Sequence, residues 1–97
     1  MIYHIATGSQ WQLALQQGFD VAESLETQGF IHASNEAQVK GVSKRYYQNV
    51  PDLLVIHILE TKLTAELKYE QATSVNEVFP HIYGRLNLNA VIKTTPL

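Results

Sequence analysis

The sequence predicts an α+β fold in which a mixed sheet packs against two helices. Two short amphipathic segments lie in the first half of the chain, and strand-like segments prevail in the second half. The most apolar segment, Leu53 to Leu59, has the length of a strand. The predicted order is β-α-β-α-β-β-β. A chain of 97 residues is long enough for one domain, residues 1–97, and too short for two.

The first strand is predicted over residues 2 to 6, and a helix over roughly residues 10 to 17 follows it. Ser9 is the expected N-cap, because Gln12 stands three residues later as in a capping box. Gly18 is the expected C-terminal stop. One face of this helix is predicted to be apolar, formed by Trp11, Ala14 and Leu15.

The polar segment from Phe19 to Gln28 is predicted to be irregular, and Gly29 ends it. A short second strand over residues 30 to 33 then leads to a second helix. Its N-cap is Ser34 or Asn35. If Asn35 is the cap, the glutamine three residues later, Gln38, completes another capping box.

The second helix is predicted to pack closely against the sheet through Gly41. Its apolar face consists of Ala37, Gly41, Val42 and Tyr46. The segment from Asn49 to Asp52 breaks it, since Pro51 is incompatible with a helix interior.

Leu53 to Leu59 is apolar on both faces, which predicts a central strand. A turn and a fourth strand are expected between Leu63 and Glu70, and a polar loop over residues 71 to 78. Phe79-Pro80 favours extended backbone, because the residue before proline avoids helix. The last strand is predicted from Leu88 to Thr94.

Composition excludes several classes of function. The net charge is −2 and the seven Lys and Arg residues are scattered, so tight binding to long nucleic acids is not expected. The chain has no cysteine, which excludes disulfides and thiolate chemistry. No apolar run approaches the ~20 residues that span a bilayer. The start lacks the pattern of a signal peptide, so we expect a cytoplasmic protein with no membrane partner.

Three histidines form the main functional signal. His4, His32 and His81 lie in the motifs Tyr3-His4, Gly29-Phe-Ile-His-Ala-Ser34 and Phe79-Pro-His-Ile-Tyr-Gly84, each near a strand end. If those strands are neighbours, the three rings converge on one pocket as candidate catalytic residues. The alternative is a set of structural histidines that are satisfied by backbone groups. His57, within the most apolar strand, is predicted to be structural.

Three further residues are candidate ligand contacts. Ser34 precedes a helix start, where free N–H groups bind anions, although it could simply cap the helix. Arg45 suits a phosphate, or is a surface charge. Tyr83 stands beside His81 on the same side of an extended segment, which suits a flat ring ligand or ordinary packing.

Two glutamates are candidate acids, and a metal is not expected. Glu70 and Glu77 lie nearest the late motifs, where either could serve a developing positive charge. No histidine pair has the i, i+4 spacing of a zinc protease, and no Asp-rich calcium loop is present. No Gly-x-Ser-x-Gly elbow supports a serine hydrolase.

In this order, the motifs closely resemble a family of small bacterial proteins called domain of unknown function 952. The resemblance covers nearly the whole chain. It is carried by these segments: Ile2-Tyr3-His4, Trp11, Ser24-Leu25, Gly29 to Ser34, Gln38-Val39, Phe79 to Gly84, Leu88 and Ala90-Val91.

More distantly, the chain resembles the catalytic half of RNA 2′-phosphotransferases within the ADP-ribosyltransferase-like group. His4 is similar to the Tyr-His-Gly-Thr motif of that group, except that Ile5 replaces the glycine. Ile31-His-Ala-Ser34 is similar to its Val-His-Leu-Ser motif, and Val42-Ser-Lys-Arg45 to its Val-Gly-x-Arg pattern. The basic amino-terminal domain of those enzymes has no counterpart here. The resemblance implies a split, bent mixed sheet that clasps NAD.

The same resemblance implies roles for residues. His4 would bind a ribose hydroxyl of NAD, His32 or Tyr83 would line the nicotinamide or phosphate side, and Arg45 would contact a phosphate. The implied chemistry is attack at the nicotinamide ribose through an oxocarbenium-like transition state. Three hypotheses follow: a transferase acting at ribose, a nucleotide-binding module without catalysis, and a structural or partner-binding protein.

Overall fold

The computed structural model describes residues 1–20, 22–72 and 76–97. It confirms the α+β class, but the strands form three antiparallel sheets where the sequence predicts one mixed sheet. The strands in these ranges are β1 (Ile2–Thr7), β2 (Phe19–Asp20), β3 (Ile31–His32), β4 (Leu53–Ile58), β5 (Glu66–Ala72), β6 (Glu77–Tyr83), β7 (Leu86–Asn87) and β8 (Val91–Pro96). The α-helices are α1 (Gly8–Gln17), α2 (Glu23–Gln28) and α3 (Val39–Tyr46). Single 3₁₀ turns span Glu36–Gln38, Glu60–Lys62 and Leu88–Ala90.

The first sheet has the order β1-β4-β8 and carries much of the core. Its central strand β4 is the apolar segment that the sequence predicts to be central. Ile56 and Ile58 of β4 and Ile2 of β1 are all buried. Aliphatic side chains on neighbouring antiparallel strands pack directly against each other, so this sheet is an efficient place to bury them.

The third sheet has the order β3-β6-β5, and an isolated bridge connects it to the first. In the bridge, Tyr3 and Ser34 exchange two backbone hydrogen bonds of 2.8 and 2.7 Å. The second sheet pairs only short strands, β2 with β7. The bridge brings the carboxyl end of β3 beside β1, so the motifs of His4 and His32 become neighbours.

Helix α1 begins two residues earlier than predicted, and its N-cap is Thr7. The Thr7 hydroxyl accepts the N–H of Gln10 at 3.2 Å, and the Gln10 side chain accepts the N–H of Thr7 at 2.9 Å. Thr7 is the N-cap in place of Ser9 because β1 ends at Thr7 and α1 begins at the next residue, Gly8. Trp11 and Ala14 are buried as expected, whereas Leu15 is exposed because only a narrow stripe of α1 contacts the core. Gly18 ends the helix at a φ of 89°, which confirms the predicted stop.

The segment from Phe19 to Gln28 is not irregular as predicted. It contains strand β2 and helix α2 within its described residues. Strand β2 forms because Asp20 pairs with Leu86, a distant residue that local patterns do not reveal. Helix α2 has only six residues, which is too short to show a clear hydrophobic period in the sequence. Gly29 ends it at a φ of 88°, as predicted.

The second predicted helix begins with a 3₁₀ turn before α3. Asn35 is its N-cap, and the capping box with Gln38 is confirmed. The predicted close packing at Gly41 is wrong, because a side chain there would meet only the Arg45 side chain. Half of the predicted apolar face is also wrong: Ala37 and Tyr46 are exposed, whereas Gly41 and Val42 are partly buried.

The late strands differ from prediction at their ends. Strand β5 runs to Ala72 and β6 starts at Glu77, so the predicted loop over 71–78 is wrong at both ends, and residues 73–75 lie outside the described ranges. The last strand starts at Val91 after a 3₁₀ turn and reaches Pro96. Cross-strand pairing sets these ends, and it extends over polar residues. No helix in the described ranges is long and apolar enough to span a bilayer.

Candidate functional site

A cleft of about 690 Å³ opens where β1, β3, β5, β6 and α3 meet. Its volume lies in the usual range for small-molecule sites. Three histidines line it: His4, His32 and His81. Five other aromatic residues share the lining with them: Tyr3, Phe30, Tyr46, Tyr47 and Phe79. The structure therefore confirms that the three histidine motifs converge.

His4 lies deepest. It shares one face of β1 with Ile2 and Ala6, and it is only 6% exposed. Its Nδ1 lies 2.6 Å from the backbone carbonyl of His32. A carbonyl only accepts, so Nδ1 carries the hydrogen. The other ring nitrogen, Nε2, lies 3.8 Å from the buried carboxylate of Asp20.

His32 stands directly opposite His81 in the β3–β6 register. The centroids of the two rings are 5.4 Å apart in an edge-to-face arrangement. The Nε2 of His32 is hydrogen-bonded to the side-chain oxygen of Gln28 at 2.7 Å. Partial burial of the ring, followed by the charges of His81 and His4, lowers the pKa of His32. Two imidazolium ions this close repel each other, so His32 favours the neutral form.

His81 belongs to a side-chain network with Glu70 and Tyr83. One carboxylate oxygen of Glu70 accepts from Nδ1 of His81 at 2.8 Å and from the Tyr83 hydroxyl at 2.5 Å. The hydrogen bond from Tyr83, then that from His81, lowers the pKa of Glu70. The same bond raises the pKa of Tyr83. Glu70 thus stays ionised and its two neighbours act as donors.

Phe30 organises the rings at this site, although it was not predicted as a site residue. Its ring stacks on His81 with centroids 4.0 Å apart and planes 15° apart. It also lies 4.9 Å from the ring of His32 and 5.3 Å from that of Tyr83. Its position two residues before His32 places it on the same side of an extended segment, which is the signal that could have identified it.

Ser34 lines the cleft, and its backbone forms the bridge to Tyr3. Since Asn35 caps the helix, the capping role of Ser34 is excluded, while its role as a ligand contact remains a prediction. Four neutral polar lining residues were not predicted as ligand contacts: Gln28, Tyr46, Tyr47 and Gln71. They lie in segments that carry no recognisable motif.

Arg45 and Tyr83 are not among the described residues that line the cleft. Arg45 lies in the last turn of α3, and its guanidinium is 3.8 Å from the carboxylate of Glu77. Of the two candidate acids, only Glu70 bonds a cleft histidine directly among the described residues. His57 lies outside the cleft with its Nε2 2.9 Å from the Thr95 hydroxyl, as a structural histidine would.

The cleft has no permanent charge of its own: among its described lining residues there is no Asp, Glu, Lys or Arg. No group of three or more His, Cys, Asp or Glu side chains in the described ranges is arranged to hold a metal ion. The lining offers imidazoles, hydroxyls, amides and ring faces. These groups form directed hydrogen bonds and stacking contacts.

Comparisons with known proteins give a family and a fold. The family described as "Protein of unknown function (DUF952)" matches residues 5–94. The X-ray crystal structure of protein CC0527 from Caulobacter crescentus is 26% identical, with a TM-score of 0.90 over 99% of this chain and 84% of that one. Its solution NMR structure is similar at 26% identity and a TM-score of 0.83, over 99% of this chain and 83% of that one. No curated protein matches the chain.

Proposed function

This chain belongs to the DUF952 family, and we propose that its histidine cleft binds the ribose-containing part of a small nucleotide-like ligand of the NAD or ADP-ribose class. The observation that carries the proposal is the convergence of three histidines and five other aromatic residues on one cleft of about 690 Å³. The cleft has the size of a ligand site and combines ring faces with directed polar groups.

Each half of such a ligand has complementary groups in the cleft. Ribose hydroxyls donate and accept hydrogen bonds, as neutral imidazoles and the Ser34 hydroxyl do. A planar base or nicotinamide ring has the shape to stack on an aromatic side chain such as Tyr46 or Tyr47. His4 is held by a short bond to the His32 carbonyl, so a ligand would meet a preorganised ring.

The phosphates require a different location. Because the described lining residues carry no permanent charge, a pyrophosphate would extend towards the rim of the cleft. Arg45 lies on α3, the helix that contributes Val42 and Tyr46 to the lining, and its ion pair with Glu77 is exposed to solvent. Exposed pairs of this kind are weak, so Arg45 can exchange Glu77 for a phosphate at little cost.

The test is a thermal-shift titration with adenosine, ADP-ribose, NAD and 2′-phosphorylated dinucleotides. A ligand that binds only the folded protein raises the melting temperature by mass action. We expect a shift of several degrees with at least one ligand for the wild type. His32→Ala should abolish it.

His57→Ala is the matched control, because His57 is a partly buried strand histidine that is not among the described residues lining the cleft. It should retain the ligand shift. The absence of any shift at millimolar concentrations, with all proteins folded, would exclude this function. A shift that survives His32→Ala would place the ligand elsewhere.

A further inference from the structure

The hydrogen bond between His81 and Glu70 fixes the protonation pattern of the ring. Glu70 is ionised, and an ionised carboxylate only accepts hydrogen bonds. Nδ1 of His81, 2.8 Å away, must therefore carry a hydrogen. In the neutral ring, the lone pair then resides on Nε2.

That lone pair is available to the cleft. Glu70 holds the Nδ1 side of the ring, and His81 lines the cleft, so the opposite edge with Nε2 is the polar edge left to face it. No hydrogen bond from a described residue reaches Nε2. His81 is 8% exposed and is one of the residues that line the cleft.

We propose that His81 and Glu70 form an acid–base dyad in which His81 Nε2 takes the proton of a hydroxyl group in the cleft, from the bound ligand or from a water molecule. The O–H bond breaks, the N–H bond forms, and the electron pair stays on oxygen as a nucleophile. The imidazolium that forms faces the Glu70 carboxylate, which stabilises it and keeps the ring orientation. Tyr83 is a positioning residue, because its hydroxyl donates to the same carboxylate oxygen.

The other histidines lack this combination. Nε2 of His32 is bonded to Gln28, and that of His57 to Thr95 outside the cleft. His4 donates through Nδ1 as well, but to a neutral carbonyl, and its carboxylate neighbour, Asp20, lies 3.8 Å from Nε2, on the side of the ring that would carry the lone pair. The inference rests on the proposed function for the identity of the hydroxyl, whereas its tests need no ligand.

The first test reads the hydrogen position directly. Two-bond ¹H–¹⁵N correlation spectra of the labelled protein at pH 8 distinguish the two neutral tautomers of each ring. We expect His81 to be protonated on Nδ1 in the wild type and in Glu70→Gln, whose amide oxygen can still accept. Glu70→Ala should lose this preference. A wild-type His81 protonated on Nε2 would overturn the dyad.

The second test measures basicity and access together, with diethyl pyrocarbonate as the probe and mass spectrometry to resolve each histidine. The neutral nitrogen of His81 should be carbethoxylated in the wild type and several-fold more slowly in Glu70→Ala. Glu70→Gln should be intermediate, because it keeps the acceptor and loses the charge. His57 should react at the same rate in all variants.

Glu66→Gln is the matched control, since Glu66 lies on the same face of β5 and its described ion pair is with Lys68, not with a histidine. It should leave both readouts of His81 unchanged. An unreactive His81, or a His81 rate that does not respond to Glu70→Ala, would overturn the proposal. If no nucleotide-like ligand binds, these two tests still decide the dyad, so the two proposals fail separately.

Discussion

His57 and His81 occupy equivalent places in two different sheets. Each lies on the central strand of a three-stranded antiparallel sheet, and each pairs with a lysine on the outer strand, Lys93 or Lys68. Each ring also bonds the outer-strand residue two positions beyond that lysine. For His57 this residue is Thr95, and for His81 it is Glu70.

The difference in that one partner separates a structural histidine from a candidate base. A hydroxyl both donates and accepts, so Thr95 fixes neither the tautomer nor the charge of His57. Burial, and then the nearby Lys93, lowers the pKa of His57. Glu70 instead fixes the hydrogen on Nδ1 of His81 and compensates a positive ring. The same backbone arrangement thus supports either role, and the outer strand selects between them.

The largest expected effect tests whether the cores of the two sheets contribute equally to the free energy of unfolding. Ile56 and Ile82 adjoin these histidines on β4 and β6, and both are 0% exposed. Replacing either with alanine should lower the free energy of unfolding by about 3 kcal/mol, from lost burial and a cavity. Urea denaturation measures both. Ile92→Ala on β8, where the residue is 56% exposed, should change stability by no more than about 0.5 kcal/mol. Unequal losses for Ile56 and Ile82 would mean that the sheets differ in packing as well as in polar partners.

The next effect extends the comparison to His4. His4→Leu removes the donor to the His32 carbonyl in a buried place, which should cost about 2 kcal/mol. His57→Leu should cost less, about 1 kcal/mol or below, because His57 is less buried than His4 and water can replace its hydrogen bond. Equilibrium unfolding in urea compares the two variants. A larger loss for His57→Leu would refute this ranking of the two sites.

A third, smaller effect is that Glu70, the partner of His81, makes stability depend on pH, whereas Thr95, the partner of His57, does not. The native state lowers the pKa of Glu70, so its ionised form contributes stability above the ordinary value of 4.5, and this contribution is lost as the pH falls through the native value. The wild type should therefore lose its advantage over Glu70→Gln on acidification below about pH 4.5. Thr95→Val should show a pH-independent difference there. If the free energies of unfolding of the wild type and Glu70→Gln differed by the same amount from pH 7 to pH 2, the role of the Glu70 carboxylate in the network would be contradicted.

The smallest effect concerns His32. Its pKa is lowered in the native state, so below its ordinary value of 6.5 the unfolded chain binds more protons and the folded protein loses stability. His32→Gln should reduce this loss between pH 7 and pH 5, and chemical denaturation at several pH values measures it. If the free energy of unfolding fell equally steeply with decreasing pH in the wild type and in His32→Gln, His32 would not contribute to the pH dependence of stability.

Local signals in the sequence predicted the features that depend on local geometry. Gly18 and Gly29 end their helices because glycine adopts a positive φ more easily than other residues. Asn35 and Gln38 form a capping box within four residues. Leu53 to Leu59 reveals a central strand because burial on both faces requires apolar side chains throughout.

Features that depend on pairing between distant segments could not be predicted from local sequence patterns. Strand β2 exists because Asp20 pairs with Leu86, and Glu70 reaches His81 only through the β5–β6 register. The sequence left Glu70 and Glu77 as equal candidates, and the register separates them. Arg45 was predicted from a motif, but the ion pair with Glu77 depends on where β6 begins.

The Tyr3–Ser34 bridge has a consequence for hydrogen exchange. Its two amide protons lie at the junction between the first and third sheets, beside the cleft. They should exchange with deuterium whenever the two sheets separate locally, while the amides of β4 exchange only on global unfolding. A ligand that spans His4 and His81 would suppress that local opening. The exchange rates at Tyr3 and Ser34 would then report cleft occupancy without any label on the ligand.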